Sequence, residues 1–225
     1  MVPLTRLMNK WLSPLMPHVP VPERLARELL LRDNRREHQE SGWARLRSAA
    51  ELGRYSVIRG WCQHFAPAGR ILDVGCGEGI LQEHLTGYGD YTGIDLFPET
   101  LARAEARANA RTRFIEADAA TFVPDQPYDL IVWNECLYYL PDPIGTIARY
   151  RDFLTPNGVI IVSMFYQTYL TRRLFRRLKV LGAPVAALLV SNDEGATWGL
   201  RAYRPHTAAA SATGLSRSSA GRSLS

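Results

Sequence analysis

The chain has 225 residues, 46% of them hydrophobic, which is enough for one domain with a substantial core plus appendages. Its longest apolar runs, such as 184–190, fall far below the roughly 18 residues of a membrane span, so a membrane-spanning helix is excluded. Cys62, Cys76 and Cys136 show neither metal-ligand spacing nor the even count of a disulfide framework, so no metal is expected and a reducing, cytoplasmic setting fits best.

The net charge of +5 is unevenly placed. Residues 1–69 hold 11 basic and 6 acidic side chains, 70–165 hold 7 and 14, and 166–225 hold 9 and 2. The middle is acidic and the flanks are basic. Basic flanks suit an anionic substrate, a membrane surface or nucleic acid, or are simply solvated helix faces.

Along the chain, residues 1–22 contain five prolines and predict an irregular arm. Residues 23–40 place Leu25, Leu29 and Leu30 among charges, the pattern of an amphipathic helix. These belong to an expected N-terminal unit, 1–43, a possible cap over a substrate. A helical stretch follows over 44–65, with Gly53 and Gly60 suggesting a break. Then short apolar runs at 71–74, 91–94, 113–117, 128–133 and 159–163 alternate with helical stretches at 80–85, 98–108 and 144–154. The turn Pro156-Asn157-Gly158 closes the last helix. Such alternation predicts an α/β fold with a parallel sheet covered on both faces. Residues 166–181 predict a helix with one apolar and one arginine-rich side. Residues 184–191 and 197–203 predict a hairpin around Asn192–Gly195. The 206–225 tail lacks the apolar periodicity needed to order itself.

The chemistry concentrates in Ile71–Leu81, I-L-D-V-G-C-G-E-G-I-L. A strand runs into a loop with Gly75, Gly77 and Gly79, then into a helix start. Glycines there permit a sharp turn and close approach of a ligand to the backbone. Twenty-two residues after Asp73, at the tip of the second strand, stands Asp95, placed to accept from ribose hydroxyls. Asp118 followed by Ala119, at the end of the third strand, can read an adenine edge. Asn134 and Glu135 follow the fourth strand. Ligands in open α/β sheets bind beyond the carboxyl ends of the strands, so Asp73, Asp95, Asp118 and Asn134 should converge on one crevice. A pyrophosphate suits this acidic segment poorly; a ligand with cationic groups and sugar hydroxyls suits it well. The glycine spacing also departs from the dinucleotide pattern G-x-G-x-x-G, because position 80 is Ile.

With these motifs in hand, the chain resembles the class I S-adenosylmethionine-dependent methyltransferases over roughly residues 50–205. The resemblance lies in I-L-D-V-G-C-G-E-G, G-I-D, E-A-D-A, Y-D-L-I-V-W-N-E-C-L-Y-Y-L and F-L-T-P-N-G-V-I-I-V-S. It implies a Rossmann-like, mostly parallel seven-stranded sheet over 44–205, whose last strand is antiparallel and inserted beside the fifth. It also implies S-adenosylmethionine as cofactor. Asp73, Gly75, Cys76, Gly77 and Gly79 would face its methionine part, Asp95 its ribose, and Asp118 with Ala119 its adenine, with Leu96 also in the cofactor site. Asn134 would line the same site. The stretch Glu135 to Leu140 is similar to nodulation-type N-methyltransferases and to sugar-modifying methyltransferases. By that likeness Tyr55 or Arg54, on a preceding helix, would cover the cofactor.

No histidine sits in a motif. Glu135 is therefore the candidate catalytic group, orienting an amine or serving as base for a hydroxyl. The expected reaction is methyl transfer to an amine or hydroxyl of a small molecule such as an amino sugar, sugar or natural-product intermediate. The alternatives are methylation of a protein or nucleic acid, or S-adenosylmethionine binding without methyl transfer. Asn134-Glu135-Cys136-Leu137 is not the N/D-P-P-[YF] tetrad of base-amino methyltransferases, and no basic nucleic-acid module is evident, so nucleic acid is not an expected partner.

Overall fold

A computed structural model describes residues 42–205. Most of the expected N-terminal unit and the tail lie outside the described residues. After a short 3-10 helix at Gly42–Arg47 come α1 (Ala49–Phe65), β1 (Arg70–Val74), α2 (Ile80–His84), β2 (Asp90–Asp95) and α3 (Pro98–Glu105). The chain continues through β3 (Thr112–Glu116), β4 (Tyr128–Asn134), α4 (Pro143–Arg149), β5 (Leu154–Phe165), α5 (Tyr169–Arg177), β6 (Pro184–Ser191) and β7 (Thr197–Tyr203).

The seven strands form one sheet in the order β3-β2-β1-β4-β5-β7-β6. Pairings among β1 to β5 are parallel, and β7 lies antiparallel between β5 and β6. This is the expected Rossmann-like arrangement. β1 has β2 on one side and β4 on the other, so the strand order reverses there. At that switch point the connections leave in opposite directions and open a crevice at the strand ends.

Successive strand residues face opposite sides, which sorts the core into two layers. Leu72, Val74, Ile131, Trp133 and Ile160 pack with Ile147 of α4 and with Leu174 and Phe175 of α5. Ile71, Leu130, Val132 and Ile161 pack on the other face with Tyr55, Ile58 and Cys62 of α1 and with Ile80 and Leu81. Local chemistry sets several helix starts. Pro98 and Pro143 occupy first-turn positions, where the missing N–H costs nothing. Asp142 Oδ1 caps α4 by accepting from Gly145 N at 2.9 Å, and Thr168 caps α5.

Two expected boundaries are corrected. α1 is continuous through Gly53 and Gly60. Gly53 serves as a close approach, since a Cβ there would stand 2.9 Å from Val190 Cγ1 of β6. Pro156-Asn157-Gly158 lies within β5 at a register irregularity against β4, and α4 stops at Arg149 before a 3-10 turn at Tyr150–Phe153. A bulge needs the same residues as a turn, and a proline there leaves no ladder donor missing.

Candidate active site

The crevice begins with the loop after β1. Gly75, Gly77 and Gly79 have φ of 71°, 52° and 72°, a region that costs a side-chain-bearing residue roughly 1–2 kcal/mol. A Cβ on Gly75 would lie 2.5 Å from Cys136 Cβ, whereas one on Gly77 would meet nothing within 4 Å. Gly75 is thus demanded by packing as well as backbone, and Gly77 opens on free space. The amides of Gly75 and Cys76 both donate to Ile94 O, which ties the loop to the end of β2. Asp95 completes that tie: its Oδ2 accepts from Gly77 N at 2.8 Å and its Oδ1 from Phe97 N at 3.1 Å.

Asp73 lies under the loop at 2% exposure. Its Oδ2 accepts from Tyr91 Oη at 2.5 Å, and its Oδ1 has no partner. Burial pushes this carboxyl up to about 7, against the lowering effect of the Tyr91 hydrogen bond. Glu78, the loop's own acid, is turned away and held by Arg47 at 2.9 Å and Arg103 at 2.7 Å. The acidic character of the crevice therefore comes from Asp73, Asp95 and Asp118. Asp118 is exposed, and its Oδ1 accepts from Ala120 N at 2.8 Å. The carbonyl of Ala119 is fixed by Arg149 and Tyr150. Leu96 is 56% exposed, an apolar side chain left on the rim next to Asp95.

The opposite wall is built at the tip of β4. Glu135 has φ of 61°, a strained corner for a glutamate. Its amide donates to Ser163 O at 2.9 Å. Its Oε2 accepts from Tyr138 Oη at 2.9 Å and from Phe165 N at 3.1 Å, while its Oε1 is buried and unpartnered. Burial pushes Glu135 up to about 7, opposed by the Arg54 charge and the Tyr138 and Phe165 hydrogen bonds.

Arg54 is the hub of this wall at 1% exposure. It donates to Glu51 at 2.9 Å, to Asn134 Oδ1 at 2.6 Å and to Tyr55 Oη at 3.0 Å. The hub explains how α1 reaches across to β4. Glu51, Ser163 and Tyr138 were not among the residues expected from sequence. Glu51 left the signal of an E-x-x-R pair one helical turn apart, and Tyr138 and Ser163 stood within the family-like stretches without being singled out. Tyr55 is placed in the core, its ring stacked on His84 at 4.8 Å between centroids. The structure therefore brings Asp73, the glycine loop, Asp95, Asn134 and Glu135 to one switch point, with Asp118, Ala119 and Leu96 alongside and Tyr55 beneath.

With this geometry established, comparison with known proteins is informative. A family profile described as a methyltransferase domain matches residues 23–216. The chain is 39% identical over 99 residues to trans-aconitate 2-methyltransferase of Streptomyces avermitilis, a match covering 40% of this chain and 37% of that protein. It thus spans well under half the length of that curated relative. Among solved structures, the N-methyltransferase NodS of Bradyrhizobium japonicum WM9, in complex with S-adenosylhomocysteine, superposes with a TM-score of 0.63 at 21% identity, covering 72% of this chain and 91% of that one. The 1,6-didemethyltoxoflavin-N1-methyltransferase of Burkholderia thailandensis gives 0.65 at 22% identity, covering 84% and 92%.

Proposed function

The chain belongs to the methyltransferase-domain family, and from that premise we propose that it uses S-adenosylmethionine to methylate an amine or hydroxyl of a small molecule in the cytoplasm. One observation carries the reading. The switch-point crevice pairs a loop of three left-handed glycines with two buried carboxyls, Asp73 and Glu135, each with an oxygen left unpartnered. Buried acceptors without partners are rare and mark places where a ligand donor or cation belongs. The open space at Gly77 and the carboxyls fit a cationic amino-acid moiety. They fit a pyrophosphate badly.

In this reading Asp73, Gly75, Cys76, Gly77 and Gly79 hold the methionine part of the cofactor. Asp95 takes the ribose hydroxyls, exchanging hydrogen bonds it now makes to the loop. Leu96 covers the adenine ring, and Asp118 with Ala119 reads its edge. Asn134, fixed by Arg54, separates cofactor from acceptor, and Tyr55 supports Arg54 from below. When bound, the cofactor supplies a methyl group already activated on a sulfonium, and S-adenosylhomocysteine is the product. The protein's share is alignment and proton handling. Glu135 Oε1 accepts the acceptor's N–H or O–H, and its raised basicity equips it to take that proton as the new bond to carbon forms. The basic flanks favour an anionic acceptor.

Calorimetric titration with S-adenosylmethionine, S-adenosylhomocysteine and NADH tests the cofactor. Tighter binding of NADH would sink the assignment. Release of S-adenosylhomocysteine across amino sugars, sugars and small amines then tests the acceptor class.

A further inference from the structure

Residues 153–192 contain five basic side chains and no Asp or Glu. Four of the five, Arg173, Arg176, Arg177 and Lys179, are exposed. α5 buries Thr171, Leu174 and Phe175. That turns Arg173, Arg176, Arg177 and the exposed Val180 outward at i, i+3, i+4 and i+7, a single stripe. The stripe does not stand alone. A Cβ on Gly199 would lie 2.9 Å from the Phe175 ring, and Arg201 donates to Phe175 O at 3.0 Å, so α5 lies across β7. The register partner of Gly199 is Leu189 of β6. Leu189, 62% exposed, therefore stands on the same sheet face as the arginine helix. Val185 is 51% exposed where the β6 pairing shifts register, and Leu188 is 48% exposed on the opposite face. Among the described residues β6 is the outermost strand of the sheet, and it carries no charged residue. Such edges are normally blunted by charge, and this one is not.

We propose that the face formed by α5 and the edge strand β6 docks on an anionic lipid bilayer. Charge alone on one short helix binds a bilayer weakly, and stable docking takes two signals. Here the second signal is present in the apolar side chains of Val180, Val185 and Leu189 beside the cations. No helix among the described residues is long and apolar enough to cross a membrane, so the association is peripheral. Leu188 projects to the opposite side of the edge and takes no part in the docked face.

The test is co-sedimentation of the full chain with vesicles of phosphatidylcholine alone or mixed with phosphatidylglycerol. Binding to the mixed vesicles should exceed binding to the neutral ones by at least roughly tenfold, and about 500 mM salt should abolish most of the difference. Two independent variants, R176E/K179E and V185S/L189S, alter only exposed side chains, and their melting temperatures report folding. The first should lose about tenfold in binding at low salt, and the second several-fold at either salt. Equal binding to both vesicles, or wild-type binding by either folded variant, overturns the proposal. Retention on immobilised polyglutamate with no binding to vesicles would also overturn it, in favour of an acidic protein partner.

Discussion

The tips of β1 and β4 solve the same electrostatic problem in different ways. Each buries a carboxyl, Asp73 or Glu135, and burial pushes both up to about 7. In each, one carboxyl oxygen accepts from a tyrosine hydroxyl and the other is left without a partner. At β1 the arrangement is local: Asp73 sits in a regular strand, and Tyr91 is its neighbour across one pairing. At β4 it is assembled from afar: Glu135 stands on a left-handed corner, and its surroundings come from α1, the 3-10 turn at Leu137–Tyr139 and β5. In the proposed function this difference would separate a binding carboxyl, fixed by the sheet, from a catalytic one whose surroundings are gathered from distant elements.

The largest expected effect follows from that dependence on distant side chains. Arg54→Ala leaves Glu51 Oε2 and Asn134 Oδ1 without the guanidinium that bridges them in a buried site, and Glu51 keeps only the exposed Arg45 on its other oxygen. Its unfolding free energy should fall by about 3–5 kcal/mol in a denaturant titration, as when one member of a buried ion pair is removed. A loss below about 1 kcal/mol would show that the β4 wall does not rely on α1. Next in size is Glu135→Gln. If Glu135 takes the acceptor's proton, turnover should drop by about 10²–10⁴-fold with cofactor affinity little changed. Unchanged turnover on the true acceptor removes Glu135 from the chemistry.

The two raised carboxyls also make a linkage prediction. A carboxyl whose folded pKa exceeds its unfolded value binds protons more tightly when folded. Its contribution to stability is fully present below the unfolded value of about 3.9–4.3 and is lost as pH rises through about 7. The cofactor-free protein should therefore lose stability from these groups between about pH 4 and pH 8, on the order of 2–4 kcal/mol each. Carboxyls held low by arginine, such as Glu78, work in the opposite direction, so the readout is a comparison. Asp73→Asn and Glu135→Gln should each flatten the pH dependence of the melt relative to the parent. Binding a cation beside Asp73 should also release a proton near pH 7, visible as a dependence of the calorimetric enthalpy on the buffer.

How much of this was legible in the sequence follows the same division. The β1 side was readable because its constraints are local. Three glycines in five residues state a left-handed loop, and an acid at the next strand tip states its partner. The alternation of apolar runs and helices likewise indicates the parallel strands, and the family likeness implied the antiparallel β7. The β4 side was readable only as residue types. Nothing in Asn134-Glu135-Cys136 announces a positive φ, because glutamate does not signal one as glycine does. Arg54 and Asn134 stand 80 residues apart, so their contact is a property of the packed fold. Pro156-Asn157-Gly158 misled because turn chemistry also serves a bulge. Gly53 misled because close packing against β6 and helix breaking leave the same letter.

The glycine loop offers a smaller test within the β1 side. Gly77→Ala meets only the backbone cost of a positive φ, about 1–2 kcal/mol, and should weaken cofactor binding more than it weakens the fold. Gly75→Ala adds a collision with Cys136 and should cost more stability than Gly77→Ala. Equal losses in the two melts would mean that the loop shifts freely away from β4.

The smallest expected effect discriminates best between the two carboxyls. Tyr138→Phe removes the hydroxyl that donates to Glu135 Oε2 and leaves the Phe165 amide in place. The lost hydrogen bond had favoured the charged form, so the Glu135 pKa moves up from about 7. A neutral hydrogen bond to a carboxylate corresponds to roughly half a unit to one unit. The rate–pH profile should shift upward by that amount, with cofactor affinity unchanged across pH. Tyr91→Phe does the converse: it raises Asp73, shifts the pH dependence of cofactor affinity and leaves the midpoint of the chemical step in place. If both variants move the same profile by the same amount, the two carboxyls titrate as one coupled unit across the crevice. The division of labour between β1 and β4 would then be wrong, because a proton on either group would serve binding and chemistry alike.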